Sequence, residues 1–227
     1  METLVILDGS CRAEALRRLG CKLAPVCMID YADSRVTLSR LCLAIPEPFT
    51  EGQAREGAGR LGVSFKPHGG GVDPFSFPGL GIVFRDASFR VEARGVDVVV
   101  ASRTGYRLGM QLAREGYGVI SCTQEEARRL LDSGATDAVI VPPKLCKGDV
   151  LDAARSGRLF PPGSTRHAFP ARILGVDLPI QILSSEELAM DEANQLLRAR
   201  LEASELKKLP PGSVLDGKRY EETLYIF

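Results

Sequence analysis

The chain has no tryptophan, two histidines (His68 and His167) and no excess charge, with 29 Lys and Arg against 29 Asp and Glu. That balance leaves no basic footprint of the kind nucleic-acid binding needs, which speaks against a nucleic-acid partner. No run approaches the ~18 to 20 apolar residues of a membrane helix. No signal-peptide pattern precedes the first apolar run, so the expectation is a cytoplasmic protein without a membrane partner. The cysteines, Cys11, Cys21, Cys27, Cys42, Cys122 and Cys146, include no C-x-x-C pair. With so few histidines this argues against a structural zinc site, and free thiols in a reducing compartment are the simplest account. No G-x-S-x-G elbow of a hydrolase occurs anywhere.

What is present is ordinary globular material: 227 residues, 44% hydrophobic and 26% charged, enough for one or two domains with a core. The stretch that organises the rest stands at the head of the chain. An apolar run at residues 4–7 reads as a strand and stops at Asp8-Gly9. A helical pattern follows at once, with Leu16 and Leu19 on one face, Glu14 and Arg18 four apart in the favourable order, and Gly20 as terminator. Asp8-Gly9-Ser10-Cys11-Arg12 therefore sits where a strand passes into a helix. Backbone N–H groups at a helix start favour an anion, and Arg12 adds a planar donor fork suited to phosphate. Asp8 could accept a proton or help hold a metal ion.

Further along, residues 23–29 and 36–45 read as strands, and Thr50 caps a short helix reaching Leu61. His68-Gly69-Gly70-Gly71 lies in a Gly- and Pro-rich loop. It fits neither a dinucleotide fingerprint nor a Walker pattern, and a surface turn is the plainer reading. Residues 96–142 read as β-α-β-α-β, with a strand at 96–101, helices from about 105 and from a Thr123/Glu126 capping box, and strands at 119–122 and 138–141. Arg103 and Thr104 follow the first of these strands, where ligands often bind, although a capped and solvated helix start is the simpler reading. A helix over 147–156 leads through Pro161-Pro162 to Ser164-Thr165-Arg166-His167. Residues 173–183 suggest an edge strand around Pro179. A capping box at 184–187 suggests the longest helix, running to about Lys208, and the chain ends in a strand at 224–227.

Taken alone, Ser164-Thr165-Arg166-His167 is a polar turn or a phosphate clamp: two hydroxyls, a guanidinium and an imidazole can surround a phosphate or carboxylate. Together the two stretches resemble the free serine kinases of the ParB/sulfiredoxin superfamily. Those read Asp-Gly-His-His-Arg, then Glu-Ala-Leu and Leu-Gly, then a strand with Pro-Val. Asp8, Gly9, Arg12, Glu14, Ala15, Leu16, Leu19, Gly20, Pro25 and Val26 match, while Ser10 and Cys11 stand where the family has two histidines. The family's second run, a helix ending in Gly-x-Leu then Pro-Pro-Lys-x-Thr-Arg-His, is matched by Ala153, Ala154, Gly157, Leu159, Pro161, Pro162, Ser164, Thr165, Arg166 and His167, with Gly163 at the lysine. The family carries several tens of residues before the first motif, including a catalytic glutamate. The expectation here is a shortened relative or a misassigned start.

The resemblance implies an α/β (α+β) fold. A truncated ParB/sulfiredoxin-like nucleotide-binding part at 1–60 would pack with a mixed-sheet α/β substrate-binding part at 61–227. It implies a kinase that phosphorylates free L-serine to O-phospho-L-serine, with ADP or ATP and Mg²⁺. Asp8 would position or deprotonate the serine hydroxyl. Gly9, Ser10, Cys11 and Arg12 would hold the nucleotide phosphates, and Ser164, Thr165, Arg166 and His167 the amino acid and phosphoserine. The alternative is a non-catalytic regulator of the same superfamily that binds a nucleotide or phosphoserine. A sulfiredoxin-like thiol at Cys11, one position off that family's Gly-Cys-His-Arg, is a third reading. A cysteine filling a histidine slot is the plainer one.

Overall fold

Helices and strands are interspersed along the whole chain, so the α/β class expected from the sequence holds. The computed structural model describes residues 4–46, 48–69, 73–92 and 97–227. In chain order the elements are α1 (Ser10–Arg18), β1 (Thr37–Ser39), β2 (Leu41–Ile45), α2 (Glu51–Arg60), β3 (Ser64–Pro67), β4 (Gly81–Phe84), β5 (Ser88–Glu92), α3 (Val98–Arg114), β6 (Ile120–Thr123), α4 (Gln124–Ser133), β7 (Ala138–Val141), α5 (Lys147–Arg155), β8 (Arg166–Ala168), β9 (Ala171–Leu174), α6 (Ile180–Leu183), α7 (Met190–Ala203), β10 (Lys207–Leu209), β11 (Val214–Leu215), β12 (Lys218–Arg219) and β13 (Thr223–Ile226). They divide into two compact units. The first comprises the residues up to Thr37 together with His167–Phe227, and the second is Leu38–Arg166.

The second unit is built on a six-stranded sheet in the order β3-β5-β4-β7-β2-β6, antiparallel at every pairing. Its middle strand shows why the sequence folds this way. Ala138-Val-Ile-Val141 is apolar at every position, and all four residues are buried. Because successive side chains point to opposite faces, Ala138 and Ile140 join Ile45, Ile82 and Phe89 under α2 and α3 on one side. Val139 and Val141 join Cys42, Val83 and Leu131 of α4 on the other. Helices α2 and α4 start at capping boxes, Thr50 with Gln53 and Thr123 with Glu126, as the spacing predicts.

Residues 96–142 do not form β-α-β-α-β. The Val-rich stretch expected to be a strand is the first turn of α3, and Asp97 caps it by accepting from the N–H groups of Val99 and Val100. Val99, Ser102, Gly105, Leu108, Gly109 and Leu112 are buried at helical spacing. Small residues at 102, 105 and 109 let the helix lie close to the sheet. A short β-branched run reads equally as either element.

The first unit holds a three-stranded sheet, β10-β13-β9, in which β13 runs antiparallel to β10 and parallel to β9. Of the buried apolar side chains in the described residues, only Val36, Leu183 and Leu224 belong to this unit. The helix α1 forms where expected, with the Glu14–Arg18 ion pair in place and Gly20 in the left-handed region. The runs at 4–7 and 23–29 are not strands. Leu4, Ile6, Val26 and Met28 are exposed, and Pro25 has no N–H to give to a ladder. The edge strand expected over 173–183 ends at Leu174, turns at Gly175 with φ 74°, and gives way to the helical turn α6. The box at 184–187 opens no helix. Ser185 Oγ accepts from the Leu188 N–H at 3.2 Å in a local turn, α7 starts at Met190, and it ends at Ala203 rather than near Lys208.

Candidate functional site

The turn before α1 takes its shape from Gly9, whose φ of 83° is one that residues with a Cβ rarely adopt. No side chain caps this helix, so its first N–H groups keep no side-chain acceptor. The Arg12 guanidinium lies back over the glycine: a Cβ placed on Gly9 would be 3.2 Å from Arg12 Nη2. Uncapped N–H groups, the positive end of the helix dipole and a guanidinium thus converge on one exposed turn. Cys11 is exposed beside them. Asp8 closes the turn, its Oδ1 accepting from the Gly9 N–H at 2.7 Å.

Asp8 is also tied to residues that the sequence did not single out. Arg172 Nη1 donates to Asp8 Oδ2, and Nη2 donates to Glu222 Oε1 at 3.0 Å. The Arg172 and Glu222 side chains are 17% and 6% exposed, whereas Asp8 is 49% exposed. Burial pushes the Asp8 carboxyl up. The charge and hydrogen bond of Arg172, the Gly9 amide and the Arg12 charge outweigh it and hold the carboxyl below its ordinary 3.8. The Arg172 guanidinium sits 5.2 Å over the Phe169 ring. Phe169 in turn stacks on His167 at 6.0 Å with 11° between ring planes, and His167 Nε2 lies 2.9 Å from the Tyr31 hydroxyl.

Within the first unit, then, Asp8 and His167 stand at the two ends of one short chain of contacts through Arg172 and Phe169. His167 is buried. Ser164, Thr165 and Arg166 belong to the second unit, in a turn closed by the Ser164 N–H on the Pro161 carbonyl at 3.2 Å, with Gly163 at φ 74°. The weak clue to Arg172 and Glu222 was their placement. Arg172 lies inside the short strand β9 and Glu222 immediately before β13, where a charge has to be buried or paired.

The other sequence candidates are structural. Arg90 Nε donates to His68 Nδ1 at 2.8 Å and the His68 ring packs on Phe77; Gly70 and Gly71 lie outside the described residues. Arg103 and Thr104 sit inside α3, not after a strand. Arg103 donates to the Leu159 carbonyl and Thr104 to that of Val100. All six cysteines are free thiols. Among the described residues no group of three or more His, Cys, Asp or Glu could hold a metal ion, and no helix is long and apolar enough to cross a membrane.

No protein-family model and no curated protein sequence matches the chain. Solved structures do. A glutamate-to-alanine variant of a free serine kinase in complex with ADP superposes with a TM-score of 0.62 at 22% identity, over 73% of this chain and 67% of that one. A free serine kinase in complex with AMP gives 0.60 at 22% identity over the same shares. SbnI with a C-terminal truncation, from Staphylococcus aureus, gives 0.64 at 17% identity, over 86% of this chain and 75% of that one. At these identities the likeness is one of architecture: the chain has the fold of the free serine kinases.

Proposed function

We propose that this chain is a nucleotide-dependent phosphotransferase of the ParB/sulfiredoxin-like superfamily that converts free L-serine to O-phospho-L-serine. The observation that carries the reading is the turn at Asp8–Arg12. An uncapped helix start behind a left-handed glycine, with a guanidinium folded over it, is a cradle for phosphate oxygens. The comparison structures add weight, since free serine kinases of this fold hold ADP and AMP.

In this reading Ser10 and Cys11 offer backbone N–H groups, Gly9 gives the turn its left-handed backbone, and Arg12 neutralises charge on the nucleotide phosphates. The bond from the nucleotide to its terminal phosphoryl group breaks, releasing AMP from ADP or ADP from ATP; the serine Oγ takes that group, and the hydroxyl proton passes to water. Phosphoryl transfer asks mainly for alignment and charge stabilisation. Asp8 is suited to alignment, because its carboxyl stays ionised, is a weak proton acceptor, and keeps one side open to orient the hydroxyl. Thr165, Arg166 and His167, with Ser164, are assigned to the amino acid and phosphoserine by the resemblance alone.

A second reading has its own observations. Ser10 and Cys11 replace the two family histidines, and both oxygens of Asp8 already accept hydrogen bonds. These favour a non-catalytic sensor of nucleotide or phosphoserine. Mixing the protein with L-serine, Mg²⁺ and either ADP or ATP separates the two. Phosphoserine in the products supports the kinase; nucleotide binding by calorimetry with no phosphoserine supports the sensor.

A further inference from the structure

We propose that Arg172 and Glu222 act as a positioning pair for Asp8, fixing the plane and direction of its carboxylate. The catalytic meaning of the pair rests on the kinase reading; its physical meaning does not.

Three observations lead to it. First, the register places the two partners side by side. Strands β9 and β13 run parallel with Leu224 opposite Arg172, which brings Glu222, two residues earlier, to the mouth of the same strand pair. Second, the two oxygens of Asp8 are held by different donors, Oδ1 by the Gly9 N–H and Oδ2 by Arg172. Two donors on separate oxygens remove the rotation that a singly held carboxylate keeps. Third, Arg172 cannot swing away. Glu222 holds its other nitrogen, Phe169 covers its face, and its Nε is buried with no hydrogen-bond partner among the described residues. Releasing Glu222 would leave a buried charge unpaired.

A purely structural ion pair would need only one carboxylate. Glu222, nearly fully buried, already neutralises the guanidinium. Asp8 is a second carboxylate on the same cation and the exposed member of the three. That is the arrangement expected of a carboxylate kept ionised and aimed at something outside the fold, such as a hydroxyl or ammonium group.

The test uses the full chain and the variants Arg172→Gln and Arg172→Lys, each checked for folding by circular dichroism. The Asp8 carboxyl is followed by carbon NMR against pH, with Arg172, Arg12 and the Gly9 amide as the groups that face it. Phosphoserine formation is measured in parallel. Arg172→Gln is expected to move the Asp8 midpoint upward and to lower kcat by about tenfold to a hundredfold, with a smaller effect on KM for nucleotide. Arg172→Lys, which keeps a charge but cannot reach both carboxylates as a fork, is expected to fall between it and the parent. It also serves if the glutamine variant does not fold. An Asp8 midpoint that stays put in both Arg172 variants overturns the proposal, whatever the activity. A midpoint that moves in a protein that makes no phosphoserine supports the pair and overturns the kinase reading alone.

Discussion

His167 Nε2 and the Tyr31 hydroxyl stand 2.9 Å apart, with the imidazole buried against Phe169. The last residue of the Ser164-Thr165-Arg166-His167 run is therefore anchored inside the first unit. Tyr31→Phe removes that hydrogen bond and leaves the ring in place. It is expected to destabilise the first unit by about 0.5 to 1.5 kcal/mol, the net worth of one hydrogen bond. Urea unfolding followed by far-UV circular dichroism reads the change.

The two glycines that bracket α1 separate backbone strain from ligand approach. Gly9 and Gly20 both have positive φ, at 83° and 75°. A Cβ on Gly20 meets nothing within 4 Å, whereas on Gly9 it presses on the Arg12 guanidinium. Gly20→Ala is expected to lower stability by about 1 kcal/mol and to leave ADP affinity unchanged. Gly9→Ala is expected to weaken ADP binding by about tenfold or more, since it also displaces Arg12. Titration calorimetry with ADP, beside urea unfolding of both variants, gives the comparison.

Arg12 and Cys11 are neighbours with opposite expectations. Arg12→Gln removes one charge-assisted donor, worth about 1.5 to 3 kcal/mol, and so should weaken ADP by roughly tenfold to a hundredfold. Cys11→Ser should leave ADP affinity within about twofold, because the cradle uses the backbone N–H of residue 11 and not its side chain. Loss of binding on Cys11→Ser alone would revive a role for the thiol.

The pH response of α1 follows from Glu14. Hydrogen bonds from Arg17, then Arg18, outweigh a small desolvation and hold its carboxyl at about 2, against an ordinary 4.5. A folded-state value below the unfolded one means that the ionised form stabilises the helix. That contribution is complete above about pH 4.5 and is lost as the pH falls through about 2. The expected outcome is a Glu14 carboxyl signal that titrates near 2 and moves back toward 4.5 in 1 M salt, where exposed ion pairs are screened.

Much of the second unit could be read from the sequence, because local signals there agree with packing. The Thr123/Glu126 box and the wholly apolar Ala138-Val-Ile-Val141 each form what their chemistry favours. The Val98-Val-Val100 run could not be read, since β-branched residues score as strand until one sees Asp97 capping a helix. In the first unit, residues 4–7 and 23–29 have the composition of strands but no ladder partner among the described residues, and propensity carries no information about pairing. Asp8, Gly9 and Arg12 were visible because a turn into a helix writes itself in consecutive residues. Arg172 and Glu222 were not, since Arg172 meets Asp8 across 164 positions and Glu222 across 50, and the second meeting depends on the parallel pairing of β9 with β13.

The kinase reading stands on the Asp8–Arg12 turn holding nucleotide phosphates, and amide NMR of the full chain titrated with ADP is its sharpest test. If the turn is the cradle, the N–H signals of Gly9, Ser10, Cys11 and Arg12 shift first and saturate together, with AMP moving them less. Saturating ADP that leaves those four signals in place while others shift would contradict it.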